Sequence, residues 1–145
     1  MKLSTRSRYG VRLMYELAEK YDKGPVQLND ISKDQDISEK YLGQIVIQLK
    51  SAGLINSLRG AQGGYFLSKN PSKITVREIV ETLEGGINVV NCLEDNTKCK
   101  REDICITQKV WQTLNEGIKS ILEKFTLSDL LEMNKNRKNL ADFSI

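Results

Sequence analysis

Between residues 54 and 68 the chain reads LINSLRGAQGGYFLS. Two short apolar runs, 54–58 and 65–68, flank RGAQGG, whose glycines can take the positive φ that a tight hairpin connection demands. What makes this hairpin restrictive is the pattern ahead of it. Over 9–21, Gly10, Leu13, Met14, Leu17, Ala18 and Tyr21 recur at i, i+3, i+4 and i+7, which predicts an amphipathic helix ended by Gly24-Pro25. A short helix over about 28–35 around Ile31, a turn at Asp36-Ile37, and a third helix capped by Ser38 follow. The third helix carries Leu42, Ile45, Val46 and Leu49 as one stripe and stops before Gly53. Two short helices joined by a tight turn, with a supporting helix before and a hairpin after, make a winged helix-turn-helix. The expected class is mostly α with a small β wing.

The side of the third helix away from that stripe holds Glu39, Lys40, Tyr41, Gly43, Gln44 and Gln48, groups able to approach base edges and phosphates. Arg59 sits beside Gly60 at the hairpin tip, where a guanidinium can enter a narrow minor groove; a solvated hairpin arginine would look the same. Ser4, Thr5, Arg6 and Arg8, just ahead of the first helix, suit phosphate contacts, and equally a frayed terminus. Charge agrees with a polyanionic partner. The net +3 is unevenly spread, because residues 1–75 carry 12 Lys plus Arg against 7 Asp plus Glu, and residues 76–145 carry 10 against 12. Winged helices also serve as protein contacts, so a small α+β interaction module is the competing reading.

Past the wing, Thr75 and Glu78 fit a capping box, Ile79, Val80 and Leu83 give the helix its apolar face, and Gly85-Gly86 stops it. Then comes NCLEDNTKCKREDIC, residues 91–105, which contains all 3 cysteines of a chain that has no histidine. After Cys105 a longer helix carries Trp111, Leu114, Ile118, Ile121 and Phe125 at alternating spacings of 3 and 4, an a/d seam. Such a seam can pack on the chain's own core; a projecting helix with a narrow stripe more often meets its own copy, which makes these residues the candidate dimer contacts. Thr126 is expected to cap one further short helix, LSDLLEM, with a polar, mobile tail from Asn134. The organisation is therefore a DNA-binding unit over 1–84, a cysteine loop over 85–105, a dimerisation helix with a short terminal helix over 106–132, and a tail over 133–145.

No apolar run approaches bilayer length and the N-terminus lacks the apolar segment of a signal peptide, so a cytoplasmic protein with no membrane association is expected. In that compartment clustered cysteines bind metal or act in redox chemistry more often than they pair. Thiolates suit iron-sulfur and zinc, and Lys98, Lys100 and Arg101 lower the cost of gathering negative sulfurs. Cys92, Cys99 and Cys105 cannot complete a four-thiolate site within one chain, and an incomplete set leaves a labile position that suits a sensor. An iron-sulfur cluster leads zinc and metal-free redox thiols. With no histidine base, catalytic carboxylate pair or phosphate loop, an enzyme is not expected.

Taken together, MKLSTRSRYGVRLMYELA, ISEKYLGQIVIQLKSAGLINSLRGAQGGYFLS, ITVREIVETLEG, the three loop cysteines and the closing TLSDLLE resemble the bacterial winged-helix regulators of the IscR, NsrR and CymR type, over residues 1 to about 132. The resemblance implies a homodimer with swapped long helices that binds a palindromic double-stranded DNA operator through recognition helix and wing. It implies that the loop cysteines ligate an iron-sulfur cluster, 2Fe-2S ahead of 4Fe-4S, although cysteine-free members exist. The sequence departs from the pattern in places. The spacing Cys92-x6-Cys99-x5-Cys105 is one residue longer in its first gap, and Gln108 stands where the iron-sulfur regulator has a histidine ligand. Arg8 stands where some nitric-oxide sensors use an aspartate, and Gly43 replaces an acidic residue that discriminates operators. Gln108 is thus a candidate fourth ligand, alongside Glu94, Asp95, Glu102, Asp103 or a group from a second chain. The reading is a dimeric DNA-binding regulator that senses iron-sulfur, redox or nitric-oxide status; the alternative is a zinc-bound or metal-free repressor controlled by a protein partner or by cysteine oxidation.

Overall fold

The hydroxyl of Ser4 accepts the Ser7 N–H at 3.1 Å and so starts α1 (Thr5–Glu19) one turn earlier than periodicity suggested. Arg6 and Arg8 therefore lie inside the helix and not ahead of it. The sequence signal was lost because residues 4–8 are all polar and do not extend the stripe. The computed structural model describes residues 2–94 and 99–143, the side chain of Phe143 excepted.

Around α1 the fold assembles in chain order: α2 (Leu28–Gln35), α3 (Glu39–Ser51), β1 (Ile55–Leu58), β2 (Gly64–Leu67), a 3-10 turn (Pro71–Lys73) and α4 (Val76–Glu84). A second 3-10 turn (Asn91–Leu93), α5 (Ile106–Glu123) and α6 (Leu127–Phe143) complete it. One core unites Leu13, Met14 and Leu17 of α1 with Ile31, Leu42, Ile45, Leu49, Ile55, Ile79 and Leu127. At Gly10 α1 meets α4 so closely that a Cβ there would lie 2.0 Å from Leu83 Cδ1.

The turn between α2 and α3 passes through Asp36 in the left-handed region, φ 54°, a conformation that a short polar side chain tolerates better than most. Ser38 then caps α3 by accepting the Tyr41 N–H at 3.2 Å. The wing is an antiparallel pair with Ile55 opposite Leu67 and Leu58 opposite Gly64. Ile55 and Leu67 plug it into the core. Val26 exchanges two 2.8 Å backbone hydrogen bonds with Tyr65, so the wing is stitched to the segment before α2.

The capping box at Thr75 and Glu78 forms as expected. The α5–α6 junction folds back onto it: the Val76 N–H donates to Phe125 O at 2.8 Å and the Leu127 N–H to Ile74 O at 3.0 Å. One expectation fails here. The terminal helix does not stop after LSDLLEM; α6 runs through Phe143. Asp129 and Thr126 form a reciprocal cap at its start. Leu130 and Leu131 pack on the core, and Asn134 donates to the Tyr15 hydroxyl of α1. Anchored on one side, the helix needs no further apolar stripe to continue through residues of adequate helix propensity.

Candidate DNA-binding face and cysteine loop

α3 turns Leu42, Ile45, Val46 and Leu49 inward, and this fixes what it shows outward: Lys40, Gln44, Ile47 and Ser51, all exposed. Gly43 lies beside them, and a Cβ there would meet nothing within 4 Å. Tyr41 is not part of this open face. It is half-buried, edge-on to Tyr9 of α1 with ring centroids 5.7 Å apart, and the Arg12 guanidinium lies 5.3 Å from the Tyr9 ring. Its first task is to fix α3 against α1. A polar network does the same for α2: Gln35 accepts from Arg12 Nε at 2.9 Å and donates to the buried Glu16 at 2.6 Å.

Ser38 is occupied as the α3 cap, and Ser4 as the α1 cap, its own N–H donating to Glu84 at 2.8 Å. Arg6 and Arg8 project from the first turns of α1 exposed, Arg8 donating to Thr5 Oγ1 at 3.1 Å. At the wing tip Arg59 is exposed, and Gly60 has φ 111° with open space around it. Lys50 Nζ donates to Ser57 Oγ at 2.6 Å, which ties wing to recognition helix. Asn29, Glu39, Lys50, Ser57, Arg59 and Gly60 line one open cleft between α2, α3 and the wing. The structure thus sets Arg59 and Gly60 of the wing beside Glu39 and Lys50 of α3 in one cleft, and leaves Lys40 and Gln44 exposed on α3. Ile47 and Lys50 were missed by sequence reasoning. The available signal was that Ile47 falls off the 42, 45, 46, 49 stripe and so had to face outward.

The cysteine loop joins α4 to α5. Cys92 sits in the second 3-10 turn, Cys105 is the residue before α5, and Cys92, Cys99 and Cys105 are all free thiols of intermediate burial. Asp95 and Lys98 lie outside the described residues. The Cys105 thiol lies 3.2 Å from Thr107 Oγ1. Its pKa is lowered, first by that hydroxyl, then by the Gln108 N–H at the helix start, with smaller help from the Thr107 N–H and the Arg101 charge. Gln108 is half-buried, one turn into α5, and its N–H donates to Cys105 O at 3.3 Å. Among the described residues no three Cys, Asp or Glu side chains converge as a metal site would require.

Further along α5, the seam residues split. Trp111, Leu114, Ile121 and Phe125 are exposed, Leu114 to 45% and Ile121 to 57%, and Val110 adds to this apolar strip. Ile118 instead is half-buried and, with Leu3, Ile87, Val89 and Leu122, lines a cavity of about 200 Å³ against the chain's own α4 end. Asn115 is the buried polar residue of α5, holding the chain ahead of Cys92. No helix among the described residues is long and apolar enough to cross a membrane.

Comparison with known proteins agrees with this architecture. The profile of the Rrf2 family, described as iron-dependent transcriptional regulators, matches residues 3–133. The HTH-type transcriptional regulator CymR of Bacillus subtilis (strain 168) is 43% identical over 145 residues, covering 100% of both chains. The HTH-type transcriptional regulator IscR of Pectobacterium atrosepticum is 36% identical over 142 residues, 98% of this chain and 85% of that one. Among solved structures, that of B. subtilis CymR, described as the global cysteine regulator, superposes with a TM-score of 0.75 at 41% identity, covering 92% of this chain and 98% of that one. A winged helix-turn-helix, a long helix with an exposed apolar strip and these likenesses together place the chain in the Rrf2 family, as a DNA-binding transcriptional regulator and not an enzyme.

Proposed function

We propose that the protein acts in the cytoplasm as a homodimer that grips a palindromic operator, with α3 in the major groove and the Arg59 wing tip in the minor groove, and that the state of the three-cysteine loop sets operator affinity. The observation that carries this reading is a pairing of two unpartnered surfaces: the α3–wing face with Lys40, Gln44 and Arg59 exposed, and the apolar strip of α5 through Leu114 and Ile121. A dimer formed through the second would present two copies of the first, as a palindrome requires.

For the loop, an iron-sulfur cluster is the favoured occupant. The donor chemistry suits it: three soft sulfurs, with Cys105 favoured as thiolate first by the Thr107 hydroxyl and then by the Gln108 N–H at the start of α5. Cys92, Cys99 and Cys105 would hold the group, and it would supply a redox- and nitric-oxide-sensitive centre. Gln108 is the candidate for the fourth position; an amide oxygen is a weak donor to iron, so such a site would be labile in air. Of the available cluster types, 2Fe-2S is preferred.

A second reading, a metal-free repressor governed by cysteine oxidation or a protein partner, is favoured by the likeness to a regulator described as a global cysteine regulator and by the activated Cys105 thiol. Anaerobic purification separates the two. Brown protein whose iron and sulfide contents match, with Gln108→His slowing the bleaching of the visible band in air, supports the cluster. Colourless, iron-free protein that still binds its operator in a salt-dependent way supports the thiol reading.

A further inference from the structure

Ile47 is the outlier of the recognition helix. Within the helices α1, α2, α3 and α4 it is the only large apolar side chain that is exposed among the described residues, at 68%, with Leu58 and Phe66 of the wing the other two exposed between α1 and α4, although every other large aliphatic residue of α3 is buried. Helix formation does not call for it, since a β-branched residue at an exposed helical site is a poorer choice than lysine or glutamine. Nor does packing, since it stands away from the core stripe. Its surroundings are polar: Gln44 lies one turn before it, Ser51 one turn after, and Lys40 two turns before, all exposed on the same side.

Gly43, four residues earlier, borders it. Glycine weakens a helix interior, and nothing within 4 Å of a Cβ at this position would explain its presence by crowding. Gly43 and Ile47 lie one turn apart on the outward side of α3 near the exposed Gln44 and Lys40, and Ile47 also borders an open groove with Gln48, Ser51, Ala52 and Thr82. In the major groove, the one apolar group that a base pair presents is the C5-methyl of thymine. Lys40 is exposed on α3, and Lys50 and Arg59 line the adjoining cleft with Glu39; this excess of positive charge favours nucleic acid over an apolar protein partner.

We infer that Ile47 is a specificity-determining residue that packs on the C5-methyl of a thymine in each operator half-site, with Gly43 allowing the helix backbone to come close enough. This inference rests on the proposed DNA-binding mode of α3.

The test is to enrich the preferred duplex from a random-sequence library with the full chain, then replace each thymine of one half-site in turn by deoxyuridine, which deletes only the methyl. One replacement is expected to weaken parent binding about fourfold, the worth of one buried methyl group. The same replacement should have no effect on Ile47→Ser and a retained effect on Ile47→Val, which keeps the branched carbon. An operator bound tightly by the parent but indifferent to every thymine-to-uracil change, or equally sensitive in parent and Ile47→Ser, overturns the inference and leaves DNA binding intact. If no duplex is enriched, the DNA-binding mode falls and this inference with it.

Discussion

The side-chain oxygen of Asn115, in the middle of α5, accepts the backbone N–H of Val89 at 3.0 Å, while its amide nitrogen donates to Asn88 at 3.3 Å. The segment that leads into Cys92 is thus tied to the helix that carries the apolar strip. Asn115→Ala would leave the half-buried Val89 N–H without its acceptor and should cost about 1–2 kcal/mol. Asn115→Asp, which keeps an acceptor oxygen, should recover most of it. Thermal unfolding and hydrogen exchange at the Val89 amide measure the effect; unchanged protection of that amide in Asn115→Ala would show that the contact holds nothing.

Gly43→Ala separates stability from binding. The added methyl meets no neighbour within 4 Å, so the helix should gain roughly 0.5–1 kcal/mol. Operator affinity should fall, because the methyl would stand between the α3 backbone and the DNA. A variant that melts higher and binds as well as the parent would rule out close approach of the backbone there.

Arg59→Ala should weaken operator binding by roughly 1–3 kcal/mol and leave the melting temperature within error. The side chain is exposed at the wing tip. Equal affinity at matched salt would remove it from the interface.

Leu114→Glu with Ile121→Glu should convert a dimer into a folded monomer. Both side chains are exposed on the single chain, so charge there costs nothing until a partner covers it. Helical content should be kept and operator affinity lost, since two half-sites would no longer be held by one particle. Sedimentation of the double variant as a dimer would place the contact elsewhere. Ile118 is a poorer probe, because it also lines the cavity against α4.

The Cys105 thiol should alkylate with a midpoint below the ordinary cysteine value of about 8.5. The sign follows from the lowered pKa: the thiolate is favoured above that pKa, and both its reactivity and the associated native-state preference are lost as pH falls through it. In a background of Cys92→Ser and Cys99→Ser, Thr107→Val should raise the midpoint by removing the largest cause. Identical pH profiles with and without the Thr107 hydroxyl would contradict this.

The local grammar of the chain was legible in one dimension. The winged helix-turn-helix follows from the 3.6-residue stripe of Leu42, Ile45, Val46 and Leu49, the cap at Ser38, and the glycines of RGAQGG, because periodicity, capping and positive φ are set by neighbours in sequence. The exposed strip of α5 was likewise visible as a 3-4 spacing, save for Ile118, which packs toward the end of α4. Three matters were decided only by distant contacts. Tyr41 reads as part of the outward face, yet Tyr9 claims it from 32 positions away and folds it against α1. α6 reads as a short helix and a loose tail, yet the docking of Leu127 into the core and of Asn134 onto Tyr15 carries the helix to Phe143. Asn115 reads as one polar residue among many, and only the return of the 85–93 segment past α5 makes it a buried tether. In each case the deciding term is a hydrogen bond or an area of apolar contact between residues far apart in the chain, which no local pattern encodes.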